Sequence, residues 1–360
     1  MDPTKVAYEL QRSVSSWLEE MNRGLEPGRF RFCKRNSLVP TSGHQGQFVT
    51  CFAMKTAWHI GQWETWAKSQ QDACIRFVQS FQQPSGYFVD QGMLSKIRWG
   101  SLIPSLRASQ WQEWPKEIVL KAIRAETRQS ASTLLMVGSP LPYPLPVPYN
   151  TPDQVRSYIK NLPWSHPWGD GSHASHLIFF LHLQNLTGRC EELLDAVYDE
   201  LDRLRDPRTG TWFRGNVSNA LKINGAMKIL TSYQWSNRPL IYAKELLDFA
   251  LSQPFEQHGC GFLNRLFVIY STRPHIQGYR EDSIKDIAHQ ALGEVMRYRQ
   301  PDGIFSFYRN HAQKRYYDAW VSLGGRQSDL HGTMLLTWAC ALCFELLGIG
   351  ETLGWRVSKP

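Results

Sequence analysis

No uninterrupted apolar run in the 360-residue chain reaches about 18 residues, the length that spans a bilayer, so a membrane span is excluded. Nor is there a run of lysine or arginine longer than a pair, as at Lys34-Arg35 and Lys314-Arg315. Nucleic-acid grooves concentrate their basic residues on one stripe or face. The net charge of +8 is therefore read as favouring anionic small molecules or polyanionic glycans, with no nucleic-acid partner. Seven cysteines are scattered, and the close pair Cys340 and Cys343 lies inside the apolar stretch Met334–Leu347, which reads as buried thiols. Alternating strand patterns are few, and Asn224-Gly225 lies in a helix-like run, so a β architecture is excluded. Charges throughout the first stretch leave no signal-peptide pattern, and with reduced thiols this gives cytoplasmic localisation as the expectation.

What is present is an ordinary globular composition, 42% hydrophobic and 20% charged, with an unusual 14 Trp beside 17 Phe and 14 Tyr. Aromatics in that number fill a large core and also line sugar or polycyclic-lipid pockets. Apolar residues recur at helical spacing over Val6–Met21, Trp63–Phe81, Ile118–Met136, Ser175–Leu186, Cys190–Leu204, Tyr242–Leu251, Ile284–Tyr298 and Met334–Leu347, and predict an all-α fold. The largest break is the proline-rich segment 138–152, in which Pro140 to Pro148 recur at every second position. Such spacing forbids helix and gives an extended connector. We read it as a strap on a single domain spanning 1–360, since a ring of helices shares one core at a length that otherwise suggests two domains.

Three predicted helices end in related turns: Gln82-Gln-Pro-Ser-Gly-Tyr-Phe88, Arg205-Asp-Pro-Arg-Thr-Gly-Thr-Trp-Phe213 and Arg299-Gln-Pro-Asp-Gly-Ile-Phe305. A fourth, degenerate copy runs from Gln253-Pro254 to Gly259-Cys-Gly-Phe262. Each combines a proline that stops a helix, a glycine for a left-handed turn and an aromatic that tucks beneath it. A recurrence of this kind is the mark of a repeat architecture. The pattern helix-Gln-x-x-x-Gly-x-aromatic resembles the repeat of the α/α-toroid proteins, among them terpenoid cyclases and protein prenyltransferases, whose plan is shared by toroidal glycoside hydrolases and polysaccharide lyases. Gln82, Gly86 and Phe88 fit that spacing, with Phe in place of Trp, while Arg299 stands where Gln would be expected and Arg205 and Asp206 precede the second turn. The resemblance implies an α/α toroid of inner and outer helices, with a pocket where the inner helices begin.

Polar residues gather at five predicted helix starts: His44 to Phe48, Gly169 to His176, Asn216 to Asn224, Phe262 to Arg265, and Gly324 to Gly332. Helix N-termini favour anions, although Asp170, Ser172, Ser328 and Asp329 are also good N-caps. His173 and His176, at i and i+3, share a helix face and suit acid–base work. A divalent metal there is a lesser alternative in a chain expected to need no cofactor. Asp329, placed to orient a histidine such as His173 or His176 across the ring, His331, Asp170 and Tyr316 complete the candidate catalytic set. Arg326, Asn219, Lys222, Trp164, Trp168, His44, Asn264 and Tyr317 are the candidate substrate-binding residues, the two tryptophans as stacking platforms.

The terpenoid branch of the resemblance implies an Asp-rich acid or diphosphate–magnesium motifs, and neither is present. A carbohydrate reading keeps both fold and chemistry. Elimination at a uronic acid needs a cation or amide on the carboxylate, a base for the C5 proton and an acid for the leaving oxygen. Hydrolysis instead needs two carboxylates, for which Asp170 and Asp329 are the candidates. The sequence thus points to an enzyme on an anionic oligosaccharide, by elimination in preference to hydrolysis. A terpenoid or prenyl enzyme and a non-catalytic glycan- or lipid-binding toroid remain the alternatives.

Overall fold

The computed structural model describes residues 2–40, 45–97, 114–185 and 190–360. Among them the regular structure is almost entirely helical, and the sole two-stranded sheet is the hairpin Arg315–Tyr316 with Ala319–Trp320. One-sided helices alternate along the chain with helices buried on most faces. Pro3–Asn22, Lys68–Gln79, Pro152–Asn161, Glu191–Leu204, Ala243–Ser252 and Glu281–Val295 each bury one stripe. Gln47–His59 and Leu330–Leu346 are buried nearly all round. A helix apolar on one stripe belongs in an outer layer, and one buried on every side belongs in an inner layer. Contacts follow the same division. Leu330–Leu346 packs on Gln47–His59 and Pro167–Asn185 on Asn219–Tyr233, whereas the one-sided Pro152–Asn161 packs on Glu191–Leu204. This is the all-α, α/α plan.

Contacts cluster into two compact units. The first comprises Met1–Tyr143, Gln257–Cys260 and Ala288–Ser358, and the second Pro144–Glu256, Gly261–Ile287 and Lys359–Pro360. The chain passes between them within the proline-rich segment, which is extended as its prolines require. In the first unit Gln79 Nε2 donates to Pro140 O at 3.0 Å and Gln82 Nε2 to Tyr143 O at 2.8 Å. In the second, Gln184 Nε2 donates to Leu145 O at 2.7 Å.

The repeat turns explain how Arg stands in for Gln. Gln82 Nε2 donates to Gly86 O at 3.0 Å, Arg205 Nε to Gly210 O at 2.9 Å, and Arg299 Nε to Gly303 O at 2.7 Å. In each turn the glycine has a left-handed φ, of 86°, 65° and 82° respectively. An isolated bridge then pairs Gln82 with Phe88, Arg205 with Trp212, and Arg299 with Phe305. All three aromatics are fully buried. Two chemically different donors therefore satisfy the same carbonyl, which would otherwise be an orphan at a helix end. The expected fourth copy is not such a turn. Gly259 to Phe262 begin the helix Gly259–Thr272, and Gln253 Nε2 returns to Phe249 O. Six of the seven cysteines are buried and all are free.

Candidate active site

A polar cluster enclosed by aromatic rings lies in the first unit. Phe48, Phe52, Lys55 and His59 fall on one stripe of the helix Gln47–His59, because residues spaced by about one turn share a face. Phe48 stacks on Tyr316 with ring centroids 4.7 Å apart, and Phe52 stacks on His331 at the same distance. Phe307 also stacks on His331, at 5.1 Å. Tyr316 meets the His331 ring edge-on at 5.3 Å. His331 Nδ1 lies 2.7 Å from Gln313 Oε1. An amide oxygen only accepts, so Nδ1 is the donor in this pair.

Tyr316 Oη donates to Glu126 Oε1 at 2.9 Å. Glu126 is buried, and its Oε2 has no hydrogen-bond partner. Burial pushes its carboxyl up to about 8, with nearby Asp90 adding to the rise and Tyr316, Gln47 and Lys55 opposing it. Burial thus favours the neutral acid form of Glu126. Burial likewise holds the Tyr316 phenol well above its ordinary range. The fully buried Gln47 carboxamide lies close enough to favour the carboxylate form of Glu126, yet neither its nitrogen nor its oxygen has a hydrogen bond of normal geometry. Native proteins rarely leave buried polar atoms unpaired. Lys55, also buried, donates from Nζ to Ser132 Oγ at 3.0 Å, and burial pushes its amine down to about 8.

The hairpin that presents Tyr316 turns through Tyr317 and Asp318, both left-handed at φ 45° and 64°. A two-residue turn of this kind favours Asn-Gly, and non-glycine residues there cost about 1–2 kcal/mol each. Backbone strain of this kind clusters at functional sites. Tyr317 is exposed and packs edge-on against Tyr316 at 4.6 Å, so aromatic surface leads from solvent toward the buried acid.

Of the residues singled out from sequence, Tyr316, Tyr317 and His331 come together here. Asp329 does not orient His173 or His176. It is the N-cap of Leu330–Leu346, where Oδ1 accepts from Gly332 N at 2.7 Å and Oδ2 from Phe307 N at 2.9 Å and Gln313 N at 3.0 Å. Its carboxyl is pushed up to about 6 by burial, against the pull of those three N–H groups. Arg326 is exposed beside Arg35. His44 lies outside the described residues.

The remaining candidates are in the second unit. Pro167 occupies the first turn of its helix, a position that suits proline, so His173 and His176 sit inside Pro167–Asn185 and not at its start. Asp170 accepts from His166 N at 3.4 Å. Trp164 is wholly buried with its indole N–H on Ile159 O at 3.0 Å, which removes it as a stacking platform, while Trp168 is half-buried. Asn219 is exposed, Lys222 Nζ lies 4.0 Å over the Phe213 ring, and buried Asn264 donates to Asn224 Oδ1 at 2.6 Å. Among the described residues no group of three or more His, Cys, Asp or Glu is placed to hold a metal ion, and no helix is long and apolar enough to cross a membrane.

Sequence reasoning missed Glu126, Gln47, Lys55 and Gln313. One signal was present. Glu126, Ser130 and Thr133 follow one another at i, i+4 and i+7, a polar stripe where a buried helix should be apolar, and all three are buried.

No protein-family model matches the chain, and no curated protein matches it. Among solved structures, the chain is similar to the GH76A α-1,6-mannanase of Salegentibacter sp. HEL1_6. The identity is 13% and the TM-score 0.46, over 95% of this chain and 100% of that one. No residue is carried across at that distance.

Proposed function

We propose that the protein is a carbohydrate-active enzyme that cleaves an acidic saccharide by β-elimination at the Glu126–Tyr316–His331 cluster. The observation that supports it is the buried Glu126 carboxyl, hydrogen-bonded to Tyr316 beside a histidine whose Nδ1 meets the Gln313 amide oxygen. In this reading His331 Nε2 takes the C5 proton of a uronate, the C4–O bond breaks, and a C4=C5 double bond forms. The departing oxygen takes the Tyr316 proton, which Glu126 replaces. A high phenol pKa keeps that proton in place until the leaving group is basic enough to accept it. Gln47 donates from its amide N–H to the uronate carboxylate, which favours proton loss at C5. Exposed Tyr317 and Trp320 offer rings for the sugar face.

Hydrolysis fits less well, because it needs a second carboxylate facing the substrate. Asp90, whose charge raises the Glu126 pKa, accepts from the backbone N–H groups of Gly46, Gln47 and Met93. Asp329 is engaged as described. The test is incubation with a panel of uronate-containing oligosaccharides, following the absorbance of the unsaturated product. New absorbance, lost in Glu126→Gln and Tyr316→Phe, is expected. New reducing ends without absorbance would reassign the cluster to hydrolysis, with Glu126 as the acid. Absorbance that survives both substitutions would move the chemistry elsewhere.

A further inference from the structure

The first unit also carries a surface recess of about 400 Å³ lined by Arg35, Asn36, Gly324, Gly325, Arg326 and Gln327. Two loops form it, and they are tied together rigidly. Ser37 and Ser322 make an antiparallel bridge, Leu38 N donates to Val321 O at 2.9 Å, and Leu323 N donates to Asn36 O at 3.0 Å. The buried Gln327 side chain clamps them further. Its Oε1 accepts from Arg35 N at 2.9 Å, while Nε2 donates to Arg35 O at 2.7 Å and to Gly324 O at 2.9 Å.

That clamp fixes where two guanidinium groups leave the backbone, and among the described residues neither Arg35 nor Arg326 forms an ion pair with a carboxylate. Lys34 next door is spoken for, 2.5 Å from Glu20 Oε1. The backbone between them is unusual too. Gly324 and Gly325 are both left-handed, at φ 79° and 100°, and the N–H groups of Gly325 and Arg326 make no hydrogen bond among the described residues. Successive unpaired N–H groups in a glycine turn are a recurrent anion-binding arrangement. An adjoining lobe contains Asp302, but Asp302 Oδ2 accepts from both Ser328 N and Ser328 Oγ, at 3.2 Å and 2.6 Å. The lobe beside the glycines is thus the one suited to negative charge.

We infer that this recess is a binding site for a tetrahedral oxyanion, a phosphate or sulfate group borne by a small molecule. One guanidinium satisfies both oxygens of a carboxylate. Two guanidinium groups and two backbone donors have room for more oxygens than a carboxylate offers, which favours a tetrahedral group. The site stands on its own, whether or not Glu126 and Tyr316 transform a saccharide.

The test is calorimetric titration of the whole protein with inorganic phosphate, inorganic sulfate, a sugar phosphate and glucuronate. Phosphate and the sugar phosphate are expected to bind with Kd of about 1 mM or tighter. Arg35→Gln and Arg326→Gln should each weaken that binding about tenfold, the loss of a bidentate charged contact. Arg12→Gln, an exposed arginine elsewhere, should leave it unchanged. Sulfate binding with phosphate marks recognition of the tetrahedral group itself. Absence of phosphate binding at about 10 mM, or binding indifferent to both substitutions, would overturn the site. Glucuronate binding as tightly as the sugar phosphate would overturn the choice of a tetrahedral ligand.

Discussion

Asp329 and Glu126 are two buried carboxyls of the same unit with opposite surroundings. Asp329 accepts three backbone N–H bonds and holds together a helix start and two loop strands. Glu126 has one phenol as its partner, and its second oxygen is unpaired in the company of the unpaired Gln47 carboxamide. Burial raises both, but Glu126 to about 8 and Asp329 only to about 6. Backbone donors stabilise the ionised form of the first, whereas the second is kept neutral by an environment that offers it little. A carboxyl with its donors satisfied serves the fold. A raised one with an unpaired oxygen is the kind suited to proton transfer in the proposed reading, at a cost to stability.

The sharpest way to break the comparison is turnover. Glu126→Gln is expected to lower kcat by about 10²–10⁴, the range for losing a general acid or base, while the protein stays folded. An unchanged kcat on a cleaved saccharide would make Glu126 a structural residue. Next in size is Asp329→Ala, which leaves three buried N–H groups unsatisfied and removes a cap, and should cost about 3–5 kcal/mol in urea unfolding. A loss under about 1 kcal/mol would show that the N–H groups find other partners.

The pH dependence separates the carboxyls further. The folded pKa of Glu126 lies above its unfolded value of 4.5, so the folded state holds a proton that the unfolded state releases. Its contribution is fully present below pH 4.5 and is lost as pH rises through about 8. Wild type should therefore lose on the order of 4–5 kcal/mol relative to Glu126→Gln across that window. Parallel stability curves for the two proteins would rule out the raised pKa. Gln47→Leu comes next. It removes two unpaired buried polar atoms, so it should stabilise the free protein by about 1 kcal/mol while reducing turnover about tenfold. Destabilisation would mean that Gln47 is a packing residue. Smallest is Arg205→Gln, which restores the Gln-to-glycine bond of the first repeat turn and should change stability by less than about 1 kcal/mol. Arg205→Ala, which removes the donor, should cost about 1–2 kcal/mol.

The fold was legible in the sequence because its signals are local. Helical spacing, proline stops and turn glycines each act within a few residues, and the three turns at Gly86, Gly210 and Gly303 form as read. The departures have equally local causes. Pro167 starts its helix earlier than apolar spacing suggested, which carries His173 and His176 into the helix body. Gly259 and Gly261, which look like turn residues, are taken into the helix Gly259–Thr272. The site was only half legible. His331 stood out at a predicted helix start and Tyr316 among the candidate catalytic residues, but Glu126 sits in mid-helix and is 190 positions from the tyrosine it binds. Its meaning depends on burial and on an unpaired oxygen, neither of which a one-dimensional pattern carries.

The most direct test of the central claim is the protonation state of Glu126 itself. Infrared difference spectra of wild type against Glu126→Gln, recorded across pH 5 to 9, need no substrate. A protonated-carboxyl band that persists at pH 7, fades near pH 8 and is absent from the variant is the predicted result. A carboxylate at position 126 throughout that range would contradict the account.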